Sequence, residues 1–280
     1  ALPAIASSFG PGTIIGPALA PLFIFDPMGL SGPLIVFAFI GAAVLAAVVT
    51  RLPDDTPRGP ARGQIVGEPS IGGANNGVSL TRDDRANDPL RWRDPRVFAW
   101  HMIGAVGGHG HAALLGVIGF LIIHRLALPL CSAPQSIAQV LMAGAGATLL
   151  AQWGLIPRLA LDPRALVIWG ALLSAAGTVI TGLSETIYGI TMGFALASLG
   201  FGFFRPGFTS GASLAVTPEE QNAVAGMVTS VNGVAFIAAP AVGVGLYGIW
   251  MPLPFLVTGV LMLGLALWVS LRFHPSGPAG

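Results

Sequence analysis

The 280-residue chain has no lysine, a single cysteine and few charged residues outside one stretch. Charged residues make up 9% of the sequence and hydrophobic residues 54%, whereas soluble domains carry about 25% charged residues. The composition therefore excludes an ordinary soluble domain and indicates a membrane protein. One cysteine, Cys131, excludes an internal disulfide framework. No basic patch outside the charged stretch points to a nucleic-acid partner.

The charged stretch runs from Arg51 to Arg96 and holds 15 of the 25 charged residues. It contains no apolar run long enough to cross a bilayer, whereas the sequence on both sides is almost wholly apolar. Each of the other ten charges lies where one apolar run gives way to the next. We therefore expect a water-exposed loop between two sets of membrane helices, two before it and six after it.

The apolar runs are about 20 residues or longer and do not alternate with period two, so spanning helices are favoured over a barrel. We predict eight helices, at about 3–25, 30–51, 95–124, 132–155, from 163, 186–206, 217–247 and 252–272. Four of the starts carry the residues of a capped helix N-terminus: Asp94-Pro95, Ser132 to Gln135, Asp162-Pro163 and Thr217 to Glu220.

The arginines predict the orientation. If residue 1 is cytoplasmic, the inner connections hold 12 of the 13 arginines and the outer connections only Arg125, as the positive-inside rule requires. Residues 52–95 and the C-terminus are then cytoplasmic. The lysine-free composition, rich in alanine, glycine and proline, is typical of a GC-rich bacterial gene, so we expect the bacterial inner membrane. Five tryptophans are predicted to anchor helix ends at the interface: Trp100, Trp153, Trp169, Trp250 and Trp268.

Histidine is the titratable residue predicted at membrane depth, because no Asp or Glu is expected near the bilayer centre. His101, His109, His111 and His124 all lie on the third predicted helix, with His109 and His111 near its middle. These two are separated by about 200° around the helix, so they cannot face one cavity. His101, His109 or His111 could line a cavity or carry a proton, although a neutral histidine bonded to a neighbouring helix is the commoner case. Metal ligation is less expected.

The seventh predicted helix contains Asn232, whose amide would be costly unpaired in lipid. It must therefore face protein or a water-filled cavity, and both interpretations remain open. At the start of the same helix, Glu219 and Glu220 are expected to stabilise the N-terminus rather than to couple ions.

Several stretches, in the right order, resemble the drug–proton antiporters of the major facilitator superfamily. The sequence Gly12-xxx-Gly16-Pro17 resembles the Gly-xxx-Gly-Pro motif of their fifth helix, with Ala20-Pro21 where the family has a Gly-Gly pair. The charged stretch has the position of their long central loop. These likenesses imply that the first predicted helix corresponds to the fifth of the family's twelve helices.

Two later stretches extend the resemblance. Gln152 and Gly154 to Arg158 resemble the second copy of the Gly-xxx-Asp-Arg loop motif, with Pro157 in place of the acid. The segment from Gly202 through Arg205 to Gly243 is similar to the tenth and eleventh helices of tetracycline-type and multidrug exporters. Arg158 and Arg205 are expected in cytoplasmic connections, as anchors or as part of a loop gate.

The resemblance implies an all-α membrane protein corresponding to helices five to twelve of a twelve-helix transporter. Residues 1–51 would form the last two helices of an N-terminal bundle, 52–95 the central loop, 96–274 a complete C-terminal six-helix bundle and 275–280 a tail. The first four helices would then lie upstream of residue 1. Two such bundles rock around a central cavity.

The sequence therefore favours a secondary active transporter over an enzyme. We expect proton-coupled efflux of small apolar or amphipathic compounds by alternating access, from a monomer with no cofactor or metal. Its partners would be the substrate, protons and lipid. One alternative is an uptake permease for a sugar or organic acid, which a cavity lined by arginine or many amides would favour. Another is a histidine-ligated membrane redox protein, which would need histidines facing each other across two helices.

Overall fold

The computed structural model describes residues 32–51, 90–129, 132–217, 220–271 and 273. Across these residues the chain is helical and contains no strand. The predicted helix at 3–25, with Gly12, Gly16 and Pro17, lies outside the described residues, as does most of the charged stretch. The predicted helix at 30–51 is observed as α1, Gly32–Arg51.

Six further helices are each long and apolar enough to cross a bilayer. They are α2 (Pro95–Arg125), α3 (Ala133–Leu159), α4 (Pro163–Leu183), α5 (Ile187–Leu214), α6 (Gln221–Ile249) and α7 (Leu253–Leu271). Their apolar side chains extend over the outside of the bundle, and Ile237 is 82% exposed. Lipid tolerates such a surface and water does not, so the protein is a multi-pass membrane protein.

The caps observed at the helix starts agree only in part with those predicted from the sequence. The Asp94 side chain accepts a hydrogen bond from the Arg96 N–H, and Pro95 occupies the first helical position as predicted. Asp162 and Ser132 precede their helices but accept no such bond. The α6 helix starts at Gln221, and Glu220 accepts a bond of 3.0 Å from the Thr217 N–H. That bond has the Thr-x-x-Glu spacing of a capping box, although the residue before the first helical position is Glu220 rather than Thr217.

Two helices are longer than predicted. The α5 helix continues to Leu214 instead of ending near residue 206, because Pro206 is accommodated inside it. The Ser210 hydroxyl donates to the Pro206 carbonyl. Membrane helices tolerate proline where side chains or neighbouring helices form hydrogen bonds with the backbone groups that the proline leaves unpaired. The α3 helix passes through a π-helical turn, Leu150–Leu155, and ends at Leu159 rather than near residue 155.

Helices α4 and α5 form the most extensive contact, which small residues make possible. A β-carbon on Gly170 would lie 2.6 Å from the Phe204 backbone N, and one on Gly193 would lie 2.6 Å from the Thr181 N. One on Gly177 would overlap the Ala197 backbone. Close backbone approach of this kind is how membrane helices associate, since apolar side chains gain little by leaving lipid.

The other large contacts join α2 to α6, α4 to α7 and α3 to α5. Four of the five tryptophans expected at the interface are exposed: Trp153, Trp169, Trp250 and Trp268. Trp100 is an exception, because it is only 2% exposed and its ring meets that of Phe273 edge-on at 4.8 Å. It covers Gly211 and is therefore a core residue.

Candidate functional site

Polar side chains from three helices line one cavity of the bundle. His111 comes from α2, Arg205 from α5 and Asn232 from α6. The rest of the lining is glycine and phenylalanine: Gly107, Gly108, Phe201, Phe204, Phe208 and Phe236. The described lining therefore contains one cation and no carboxylate.

The three polar residues lie deep in the helices. The start of α2, the end of α5 and the start of α6 are at one side of the bundle, since Arg96 bonds to Glu220. Measured along each helix from that side, at 1.5 Å per residue, Arg205 is about 14 Å, Asn232 about 17 Å and His111 about 24 Å deep. All three therefore lie more than two helical turns in from that side of the bundle.

Glycines in α2 make room for phenylalanine rings that line the cavity. A β-carbon on Gly107 would overlap the Phe204 ring, and one on Gly104 would lie 2.5 Å from Phe208 Cε2. The two phenylalanine rings are 6.0 Å apart and occupy the space where side chains on Gly104 and Gly107 would lie. The run of small residues before His111 therefore lets α5 approach α2, which brings Arg205 toward the same cavity.

The His111 ring is held between two aromatic rings. It stacks on Phe201, with ring centroids 4.6 Å apart and an interplanar angle of 18°. It also meets Phe236 edge-on at 6.2 Å. The Asn232 Nδ2 donates to the Val228 carbonyl at 3.0 Å, which uses one of its two N–H groups. The bond described for Asn232 is thus within its own helix and does not join it to a neighbouring helix, while the side chain lines the cavity.

The cavity itself is small. The space open to the centres of water molecules is about 20 Å³, enough for about one water. It can therefore admit one small polar group of a ligand, while the remainder of any larger ligand has to lie outside it.

The other candidate histidines do not line this cavity. His109 Nδ1 is 2.7 Å from the Ala105 carbonyl of its own helix, in agreement with the rotation expected between residues 109 and 111. His101 is fully buried near the start of α2, 5.4 Å from the Trp92 ring, and its ring nitrogens have no hydrogen-bond partner among the described residues. His124, near the other end, has its Nδ1 3.0 Å from the Tyr247 hydroxyl.

No cluster of metal ligands exists among the described residues. The four histidines placed there are all on α2, so none of them faces another across two helices. Haem ligation of the kind that the redox alternative required is therefore not formed within this part of the chain.

Three residues of the proposed loop motif lie together near the end of α3 and do not line the cavity, whereas Arg205 does. Gln152 and Gly154 are in the π-helical turn of α3, and the Arg158 Nη1 donates to the Gly154 carbonyl at 3.0 Å. Arg158 is exposed. Arg205, predicted in the connection after the sixth helix, is instead inside α5 and lines the cavity.

A sequence signal for the position of Arg205 does exist. Phe201, Phe204 and Phe208 recur at helical spacing on both sides of Pro206. That pattern indicates a helix continuing through the proline, with Arg205 inside it.

No family model matches the chain, and no curated protein matches it in sequence. The resemblance to drug–proton antiporters therefore stays a prediction. The helical membrane fold and the geometry of the cavity stand independently of it.

Proposed function

We propose that the chain is part of a secondary active transporter of the drug–proton antiporter type, in which the cavity of His111, Arg205 and Asn232 contacts the substrate. The observation that carries this proposal is the convergence of those three side chains, from three helices, at membrane depth. Charged residues in that position are costly and usually serve transport or ion movement. A bundle that only had to be stable would be expected to fill the space with apolar side chains.

The proposed architecture extends the described helices. We infer two spans within residues 1–51, cytoplasmic placement of residues 52–95, and a second bundle that covers the cavity. The exposed apolar residues of α6, such as Val234 at 58% and Phe236 at 45%, are compatible with such a neighbour. Substrate binding would then stabilise one of two arrangements of the bundles, which is alternating access.

Proton-coupled export of small amphipathic compounds is supported by the ordered motifs and by the arginine distribution. Of the residues in the described lining, His111 is the one that could carry a proton, and we place any carboxylate that couples protons outside this lining. The site residues described here would then select and hold the substrate.

A second candidate is transport of an organic acid. Arg205 and Asn232 in the cavity are the feature that favours it. Import and export share the same site in this account, and the direction depends on the coupling gradient.

Accumulation of a fluorescent amphipathic compound in cells carrying the full-length gene tests the proposal. We expect lower accumulation than in cells without the gene, and we expect the difference to vanish when the proton gradient is collapsed. Asn232→Ala should weaken export. Ser230→Ala should not, because Ser230 is exposed on the same helix and bonds to its own Gly226 carbonyl. Accumulation that responds neither to the gene nor to the gradient would overturn proton-coupled export.

A further inference from the structure

A second space in the bundle is apolar and opens on the outer surface. It lies between the end of α3, the first half of α4 and α5. The space open to the centres of water molecules is about 390 Å³ there, against about 20 Å³ in the His111 cavity. Five leucines and the rings of Trp169 and Phe203 line it. Leu159 is 51% exposed and Trp169 55% exposed, so this space is an open groove, here called the α3–α5 groove.

The π-helical turn of α3 forms part of the groove wall. The turn is Leu150–Leu155, and its last residue lines the groove. A β-carbon on Gly202 of α5 would lie 2.8 Å from Ala151 Cβ, so the two helices are in close contact beside it. Ala151, Leu166 and Phe203 form a small buried cluster of their own there. The groove therefore has a packed floor, and π-helical turns are frequent at functional sites.

The length of the α3–α5 groove matches a lipid chain. The groove extends from the connection between α3 and α4 to Leu173, which is about 15 Å along α4 from its start at Pro163. A hydrocarbon core is about 30 Å thick, so each leaflet contributes about that length. Because the groove is on the outer surface of a membrane bundle and its described lining is wholly apolar, an acyl chain is the ligand that suits it.

A basic side chain lies at one end of the groove. Arg158 is exposed, in the same turn of α3 as Leu155 and Leu159, which both line the groove. Its Nη1 donates to the Gly154 carbonyl at 3.0 Å, and a guanidinium has five N–H groups in all. Basic pockets between membrane helices bind anionic lipid head groups. The position of Arg158 therefore favours a lipid with a negatively charged head group.

The neighbouring charges leave this end of the groove positive. Residues 156–164 contain Arg158, Asp162 and Arg164, a net charge of +1. The Arg164 guanidinium is bonded to the Val269 and Ser270 carbonyls at the end of α7. The head-group contact is therefore assigned to Arg158. The arginine distribution predicts that this end is cytoplasmic, and the cytoplasmic leaflet carries anionic lipids.

We propose that the α3–α5 groove binds one anionic phospholipid, with an acyl chain along Trp169 and Leu173 and the head-group phosphate at Arg158. The proposal does not depend on transport through the His111 cavity. A zwitterionic phospholipid could place the same chain in the groove, but the positive charge in its head group offsets the attraction to Arg158. A preference for the anionic lipid therefore separates this site from ordinary contact with the bilayer.

Trp169 reports on the occupant of the groove, because bromine atoms on an acyl chain quench tryptophan fluorescence on contact. The 280-residue chain is placed in phosphatidylcholine nanodiscs that contain an equal, small fraction of brominated phosphatidylglycerol or brominated phosphatidylcholine. The Trp169 signal is the difference between the parent and Trp169→Phe. We expect brominated phosphatidylglycerol to bind about fivefold more tightly, the attraction of one interfacial arginine. Equal quenching by the two lipids, or no quenching of Trp169, would overturn the proposal.

Three variants locate the preference. Arg158→Gln should remove it and leave Trp169 within reach of both lipids. Arg93→Gln removes another exposed arginine at the same side of the bundle and should leave the preference unchanged. Trp250, 53% exposed at the far end of α6, should show no preference when its signal is measured through Trp250→Phe. A preference that survives Arg158→Gln, that Arg93→Gln removes equally, or that Trp250 shares would contradict the assignment.

Lipid retention provides a second measurement that needs no tryptophan variant. The chain is purified in detergent from an equimolar mixture of phosphatidylglycerol and phosphatidylcholine, and the retained lipid is identified by mass spectrometry. The parent should retain an excess of phosphatidylglycerol, and Arg158→Gln should not. Equal retention of the two lipids by the parent, or the same excess in folded Arg158→Gln, would overturn the proposal.

Discussion

Arg96 and Glu220, 124 residues apart in the chain, are joined by two hydrogen bonds. The Arg96 Nη1 donates to Glu220 Oε2 at 2.9 Å, and its Nη2 donates to Glu220 Oε1 at 2.8 Å. The same guanidinium bonds to Asp94. This cluster ties the start of α2 to the start of α6, the two helices that carry His111 and Asn232. The ion pair therefore holds together the starts of α2 and α6, two of the helices that line the cavity.

Glu220→Gln should lower the stability of the bundle at neutral pH, by up to about 1 kcal/mol since the pair is partly exposed. The Arg96 guanidinium, by bonding to both carboxylates, lowers the pKa of Asp94 and of Glu220 from their ordinary values. A lowered folded-state pKa contributes stability above the ordinary pKa, and that contribution is lost as the pH falls through the lowered value. The difference in stability between the parent protein and the Glu220→Gln variant should therefore shrink below about pH 4.

Thermal unfolding in detergent between pH 7 and pH 3, followed by tryptophan fluorescence, measures this gap. Glu185→Gln, at an exposed position before α5, provides the control and should change little. A gap that stays constant or widens on acidification would contradict the role given to the Arg96–Glu220 pair.

Asp94→Ala should destabilise the protein more than Asp162→Ala. Both aspartates precede a proline at a helix start, but only Asp94 accepts the backbone bond from Arg96. Loss of an N-cap costs about 0.5–2 kcal/mol, and Asp94 also loses its contact with the Arg96 side chain. The unfolding midpoints of the two variants, measured side by side, check the difference. Equal losses would show that the Asp94 cap contributes nothing beyond the proline.

Gly177→Ala should destabilise the contact between α4 and α5 strongly. The added methyl group would meet the Ala197 backbone, which cannot move aside as a flexible side chain could. Overpacking typically costs about 1–3 kcal/mol. Gly146→Ala in α3 is the matched control, since nothing lies within 4 Å of the added carbon and alanine favours a helix by up to about 1 kcal/mol. A Gly177→Ala variant as stable as the parent would contradict the close approach of α4 and α5.

The sequence predicts the helices well because their signals are local. Apolar runs and residues such as Asp94 and Pro95 depend on neighbours a few positions away, and the structure has the six helices after the charged stretch where they were expected. The two errors in helix length have a common cause. Pro157 and Pro206 were each interpreted as lying at or beyond a helix end, although the membrane lets a helix continue through such a residue.

The cavity was harder to predict, because it depends on which helices meet. His111 and Asn232 were candidates from their depth alone, but nothing local shows that α2 and α6 pack together. Arg205 was placed in a connection once α5 was ended too early. Trp100 was assigned to the interface for a related reason, since its partners Gly211 and Phe273 are distant in the chain. Contacts of this kind are set by tertiary packing.

We propose that the helices after the charged stretch cross the membrane in alternating directions. Cysteines introduced one at a time at Asp162, Glu185 and Thr217, in a Cys131→Ser background, test it through labelling by a membrane-impermeant maleimide in cells. These positions flank α4 and α5. We predict that Glu185→Cys is labelled in intact cells, and that Asp162→Cys and Thr217→Cys are labelled only after permeabilisation. Equal labelling of all three positions from one side would contradict the account.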